Sequence, residues 1–187
     1  MTNATNNIGV IELASIYKGF EVQDAILKNE HVEKLIARTI CSGKYLIIVR
    51  GEIADVESCL ERAREIGGFA IVSALIITSV NDAVFQAIAG NTVLESAHVE
   101  AAAIIETFSV AAAIKAADIA IEEADIDILR IHVAMAIGGK GLVVLTGNIE
   151  ALKSALIPAI DYIKDEGMLG GYSLISQPHD DVLRELL

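Results

Sequence analysis

The sequence predicts an α/β fold of the α+β kind, built twice in tandem, each copy a small antiparallel or mixed sheet flanked by helices. Three observations carry that prediction. The chain repeats itself in order, each half alternates strand-like and helix-like segments as β-α-β-β-α-β-α, and a glycine turn falls at the same place in both halves. That element order differs from the βαβα run of a doubly wound nucleotide-binding fold.

The repeat is read by laying "VIELASIYKGFEVQDAIL", from Val10, over "IIETFSVAAAIKAADIAI", from Ile104. Glu12 falls on Glu106, Ser15 on Ser109, Asp24 on Asp118 and Leu35 on Leu129 at one constant offset. Two residues are then inserted, where "CSGK" becomes "MAIGGK", so that Cys41 stands against Met135 before the insertion. Beyond it Gly43 meets Gly139, Lys44 meets Lys140, Leu46 meets Leu142, Gly51 meets Gly147 and Leu60 meets Leu156. At the end Asp82 lies over Asp181, more weakly supported by its neighbours. The matches include Gly, Lys, Asp and Glu as well as aliphatics, which marks a duplication. No Pro- or Ser-rich linker divides the halves, and the boundary is expected near residue 95, giving domains 1–95 and 96–187.

Within the first half, Val10 to Ala14 and Lys34 to Ile40 read as strands, with a helix between them from Gly19 to Lys28, where Asp24 and Lys28 sit one turn apart. Tyr45 to Val49 is apolar throughout, the signature of a strand buried on both faces. After it Ile53, Val56, Leu60 and Ala63 line one face of a second helix, and Ile149, Leu152, Leu156 and Ala159 repeat that face. Strands at Ala70 to Ile77 and Leu169 to Ser176 follow, and a short helix closes each half.

Composition narrows the function. A net charge of −12, from 26 acidic and 14 basic residues, repels phosphate backbones and argues against a nucleic-acid partner. The richest apolar stretch is broken by Glu106, Lys115 and Asp118, so no membrane span is expected. The start, "MTNATNNIGV", carries no secretory signal pattern, and two cysteines are too few for a disulfide framework; both suit the reducing cytoplasm. Aromatics at 4% favour close packing of small side chains over a large aromatic-lined pocket.

Few residues invite chemistry. Cys41, in "TICSGK", is by itself best explained as a small residue capping a strand, and Cys59, on the second helix, as core packing. Arg38 and Lys44 lie close enough in sequence to favour a Cys41 thiolate if they point toward it. The turns "SGK" and "IGGK" lack the spacing and the following Ser/Thr of a phosphate-binding loop. Glu12 and Glu106, equivalent in the repeat, suggest a shared structural duty such as satisfying backbone amides. His31, His98, His132 and His179 stand at no metal-ligand spacing, and no Ser/His/Asp or Cys/His constellation supports an enzyme.

The stretches "IGVIELASIYKGFEVQDAILK", "SGKYLIIVRGEIADV", "IIETFSVAAAIKAAD" and "PHDDVL" resemble the bacterial microcompartment shell-protein family, over almost the whole chain and in its usual element order. The resemblance is to tandem-domain members, nearest in these stretches to the propanediol-utilisation type. It implies a homotrimer of double domains that forms a flat pseudohexameric tile in the cytoplasmic microcompartment shell, meeting other shell proteins laterally and possible redox enzymes inside. Ile40, Cys41, Ser42 and Gly43 of the first turn, with Ile137, Gly138 and Gly139 of the second, would then line the pore. Cys41 from three protomers would hold an iron–sulfur cluster of the [4Fe-4S] kind, leaving one iron to a non-protein ligand. Lys28 would sit at the tile edge. Glu122 at the corresponding place, and Gln177 where the family commonly has arginine, make symmetric edge contacts doubtful. A pore that conducts a small metabolite past a reduced Cys41, or a duplicated small-molecule-binding protein, are the alternatives.

Overall fold

The computed structural model describes residues 6–90, 99–133 and 137–186. The chain forms two compact units, Met1–Val80 and Asn81–Leu187. The expected sequence boundary near residue 95 lies outside the described residues.

In the first unit, β1 (Asn7–Leu13) is the inner strand, with all seven residues buried. It pairs antiparallel with β3 (Lys44–Gly51) on one side and β4 (Ile71–Ile77) on the other, and β2 (Glu33–Ile40) completes the order β2-β3-β1-β4. The apolar run at Tyr45 to Val49 is fully buried because β3 is likewise an inner strand, flanked on both edges and covered on both faces. Helices α1 (Ile16–Asn29) and α2 (Ile53–Gly67) pack together beside the sheet. Val56, Cys59, Leu60 and Ala63 of α2 turn inward onto Val22 and Ile26 of α1 and Ile11, Leu13, Ile47 and Val49 of the strands. Ile53, expected on that face, stays half exposed as the first residue of its helix.

The second unit has the same plan. Strands β5 (Ala101–Thr107), β6 (Asp127–Val133), β7 (Gly141–Gly147) and β8 (Leu169–Ser176) are all antiparallel in the order β6-β7-β5-β8. Helices α4 (Val110–Glu123) and α5 (Ile149–Asp165) stand beside them. The duplication reaches the irregularities: register shifts fall between Glu12 and Leu13 and between Glu106 and Thr107, and again between Lys34 and Ile36 and between Ile128 and Arg130. The extra residue in the last pair is Leu35 in one copy and Leu129 in the other, a bulge kept through the duplication.

Helix α3 (Asp82–Ala89) closes the first repeat in sequence but belongs to the second unit, where it packs on β6. The Asn81 side chain accepts from Ala83 N at its start, and Gly90 ends it in the left-handed conformation that glycine adopts without strain. The closing helix of the second repeat, α6 (Asp180–Leu186), buries none of its residues.

The two copies solve one packing problem in opposite ways. Where α1 crosses β3, Gly19 faces the ring of Tyr45, and a Cβ on Gly19 would fall inside that ring's contact distance. Tyr45 fills the space, packs against Phe20 with ring centroids 4.9 Å apart and planes tilted by 52°, and donates its hydroxyl to Gln23 Oε1 at 2.5 Å. In the second unit the small residue has moved to the strand: Gly141 stands where Tyr45 does, and a Cβ there would lie 2.5 Å from Ala113 Cβ, the counterpart of Gly19. Large-on-strand with none-on-helix has become none-on-strand with small-on-helix.

Overpacking a filled site costs about 1–3 kcal/mol, so Gly19→Ala is expected to destabilise the chain by that order despite alanine's better helix propensity. In a Tyr45→Ala background the Gly19→Ala penalty should vanish, because the ring that it strikes is gone. Urea denaturation of the four proteins in this cycle checks the coupling; equal Gly19→Ala penalties in both backgrounds would refute it.

Candidate functional site

Both pore-turn candidates join an edge strand to an inner one, β2 to β3 in the first unit and β6 to β7 in the second. In the first unit, Ile40 ends β2 and is buried, Cys41 is half-buried, and Ser42 and Gly43 are exposed in a single 3₁₀ turn before Lys44 opens β3. Ser42 has φ 65° and Gly43 φ 72°, two left-handed residues in succession. A Cβ at Gly43 would meet nothing within 4 Å, so glycine is used there for its backbone freedom and not for space. In the second unit Gly138 at φ 67° and Gly139 at φ 80° repeat the pair. Lys140 N donates to Ile137 O at 3.3 Å across that turn.

This conformational match sets the equivalence of the two loops. The residue before the left-handed pair is Cys41 in one and Ile137 in the other. Met135, which the sequence also sets against Cys41, lies outside the described residues. At the turn itself, then, a thiol in one copy answers to a branched aliphatic chain in the other. Ser42 accepts a conformation that the second copy gives to Gly138.

Each turn is tied to the neighbouring strand by the lysine that follows it. Lys44 Nζ lies 3.8 Å from Glu12 Oε2, and Lys140 Nζ lies 2.7 Å from Glu106 Oε1. The strand register brings them together, because Glu12 stands opposite Leu46 and Glu106 opposite Leu142. Glu12 is fully buried, a place where a carboxylate needs a cation close by, whereas the Glu106 side chain is 42% exposed. Gly170 of β8 leaves room beside Glu106, since a Cβ there would come within 3.0 Å of its Oε1. The shared duty of these glutamates is therefore to hold the turn lysines, and Lys44 reaches toward Glu12. Sequence reasoning found all four residues in the repeat but not the pairs, which depend on strand register.

The remaining candidates are dispersed. Cys59 is wholly buried in α2, and burial, followed by the charge of Glu30, pushes its thiol up to about 12. Lys28 projects from the last turn of α1, 68% exposed, paired with Asp24 Oδ2 at 2.7 Å. Arg38 is exposed on β2, and Glu122 is exposed on α4. His31 is exposed, His132 half-buried on β6, and His179 accepts from Asp181 N at 3.2 Å before α6; His98 lies outside the described residues. Among the described residues no three His, Cys, Asp or Glu side chains gather as a metal site, and no helix is long and apolar enough to cross a membrane. A groove of about 390 Å³ runs between α5 and β8, lined by apolar side chains such as Leu156, Ile160 and Leu174, with Lys153 and Asp161 as its charged members.

The thiols should therefore differ sharply in reactivity. Alkylation of the reduced native protein at pH 8 is expected to label Cys41 in minutes and to leave Cys59 unmodified until denaturant is added, because only a thiolate that reagent can reach will react. Peptide mass mapping reads this directly, and native labelling of Cys59 would contradict its burial.

The BMC domain family matches residues 7–80 and again 101–178, once in each half. The microcompartment shell protein PduT of Citrobacter freundii is 34% identical over 180 residues, which span 96% of this chain and 97% of that protein. A crystal structure of a microcompartment protein from Desulfitobacterium hafniense DCB superposes with a TM-score of 0.86 at 35% identity, covering 95% of this chain and 98% of the other. The fused permuted hexameric shell protein of the RMM microcompartment shares the fold with a TM-score of 0.62 at 22% identity, over 84% and 81% of the two chains.

Proposed function

The chain belongs to the BMC domain family, and from that membership we propose that it is a structural shell protein of a bacterial microcompartment and not an enzyme. It works as a homotrimeric, pseudohexagonal tile in the cytoplasm, packed edge to edge with other shell proteins. The observation that carries this reading is the tandem domain itself, matched end to end by a relative that is a shell protein. Three copies of a doubled domain imitate six copies of a single one, while alternate positions are free to differ. They do differ at the turns, with Cys41 in one and Ile137 in the other.

In this tile the turn residues Ile40 to Gly43 and Ile137 to Gly139 line the central pore, and Lys28 serves the edge. Cys41 would hold an iron–sulfur cluster shared by three protomers. The fit rests on two features. Cys41 sits half-buried at the start of a tight turn, and a cluster held by thiolates needs several of them, which three copies of one turn would supply. Such a cluster supplies one-electron transfer across the shell, which would suit redox enzymes inside. The chain's own part is to place the thiol: the left-handed pair turns the backbone sharply after Cys41, and the Lys44–Glu12 pair anchors the strand that leaves.

A second reading keeps the tile and gives the pore to a small polar metabolite, with Cys41 a reduced thiol. It is favoured by the exposed Ser42, Gly43 and Gly138, whose backbone groups a polar solute can approach.

Anaerobic purification with iron and sulfide analysis and electron paramagnetic resonance separates the two. Wild type is expected to carry about four irons per trimer and a reducible paramagnetic signal, and Cys41→Ala neither. Equal, negligible iron in both after reconstitution would leave the metabolite pore standing and remove the cluster. A monomer in light scattering at working concentration would remove the tile.

A further inference from the structure

Strands β4 and β8 each form one edge of their sheet, and among the described residues neither pairs with a strand beyond β1 or β5. In the first unit Arg64 of α2 crosses to that edge and donates to Ala74 O at 2.7 Å. Alternate residues of an antiparallel edge strand turn both N–H and C=O outward, and the bond from Arg64 marks Ala74 as one of them. Tyr172 stands opposite Ile105 as Ala74 stands opposite Ile11, so its backbone groups also point outward, and with them those of Leu174. Yet Ile160 replaces Arg64 there, and β8, "LGGYSLIS", carries no charge that would discourage pairing. The groove of about 390 Å³ runs alongside this edge, and its seven lining residues can be compared one by one with the first unit. Leu156 for Leu60, Asp161 for Glu65 and Leu174 for Ile76 keep their character. Ile160 for Arg64, Ile157 for Glu61 and Tyr172 for Ala74 bring apolar bulk, and Lys153 for Glu57 reverses a charge. The added bulk is not spent on the core, since Ile157 is 64% and Tyr172 59% exposed.

We propose that β8 and this groove form a docking site for an extended peptide of another protein, which adds a strand to the β8 edge and lays alternate apolar side chains against α5. The site lies within the second unit of one chain, so it goes beyond the shell reading and needs no trimer. Main-chain bonds to Tyr172 and Leu174 supply affinity, and the groove selects the side chains. Lys153 and Asp161 lie about 12 Å apart along α5, the span of about four residues of a strand. The fitting peptide therefore turns a base toward Asp161, an acid toward Lys153, and an apolar side chain between them onto Ile157 and Ile160. Lys153 already holds Glu150 at 2.7 Å, so the base facing Asp161 is the stronger of the two charge preferences. A second copy of this chain is the poorer occupant. Its own β8 offers no charge to either residue, and two chains of net charge −12 repel each other.

The test pans a phage library of short random peptides against the full chain and measures the enriched peptides, made synthetically, by fluorescence anisotropy. They are expected to carry apolar residues at alternate positions with a base to one side. Ile160→Arg gives the second unit the arginine that caps the first, and it should weaken these peptides by at least about tenfold, with circular dichroism to check its fold. Should that variant unfold, methylation of the peptide amides decides on the wild type. Methyls on one alternating set should abolish binding and methyls on the other should leave it intact, because an added strand bonds β8 along one edge only. No enriched peptide, apolar residues at helical spacing, indifference to a folded Ile160→Arg variant, or equal tolerance of both methylated sets overturns the docking. Self-association of the wild type that Ile160→Arg abolishes gives the edge to a second copy and overturns it as well. A monomer in light scattering that still binds these peptides upholds this site while removing the tile.

Discussion

A carboxylate buried in an inner strand places the hardest demand on this fold. Glu12 has no access to water, and an ionised group in that position is tolerated only beside a cation. Lys44 approaches it from the next strand, Nζ 3.8 Å from Glu12 Oε2, where the β1–β3 register places the lysine that follows the turn. The second unit keeps the arrangement with Glu106 and Lys140, although Glu106 is no longer deeply buried. The turn that carries Cys41 is thus attached to the core at its outgoing strand. Its two left-handed residues can be exposed at the tip while its base is held.

Duplication lets the rest of the molecule diverge around that anchor. The sheets keep their strand order, pairing direction and bulges. What differs lies at the turn tips, at the helix–strand crossing of α1 with β3, and in the helices that close each repeat. Those are places where one copy can change without breaking backbone hydrogen bonds. The trimeric tile proposed above would draw its asymmetry from such places.

Most of the fold could be read from the order of the residues. Every expected strand and helix is present, and β8 runs over the very residues expected for it. The repeat is legible because Gly, Asp, Glu and Lys hold their spacing, and those types rarely recur by accident of composition. The misjudged ends have physical causes. Strand β1 starts at Asn7, earlier than expected, because Asn7 and Gly9 look like loop residues; Asn7 donates its side-chain amide to Gly51 O at 3.3 Å, and Gly9 gives room to Val56. Helix α1 starts at Ile16 and runs through Gly19, which marks the approach of Tyr45 and not the helix start. The turn residues were found as candidates, but their lysine–glutamate anchors depend on register. The allegiance of α3 to the second unit was hidden for a different reason. An amphipathic helix announces that it will be covered and does not say by what.

The exchange of bulk between Gly19–Tyr45 and Ala113–Gly141 also bears on how this gene can evolve. Tandem copies are prone to recombine, which erases their differences or deletes one copy. A crossover between the positions of these two pairs would unite Ala with Tyr in one product and Gly with Gly in the other. The first is overfilled and the second hollow, each at a cost of a few kcal/mol in a domain whose total stability is about 5–15 kcal/mol. Selection against such hybrids would keep the copies genetically distinct, and with them the single cysteine that only one of the two turns carries.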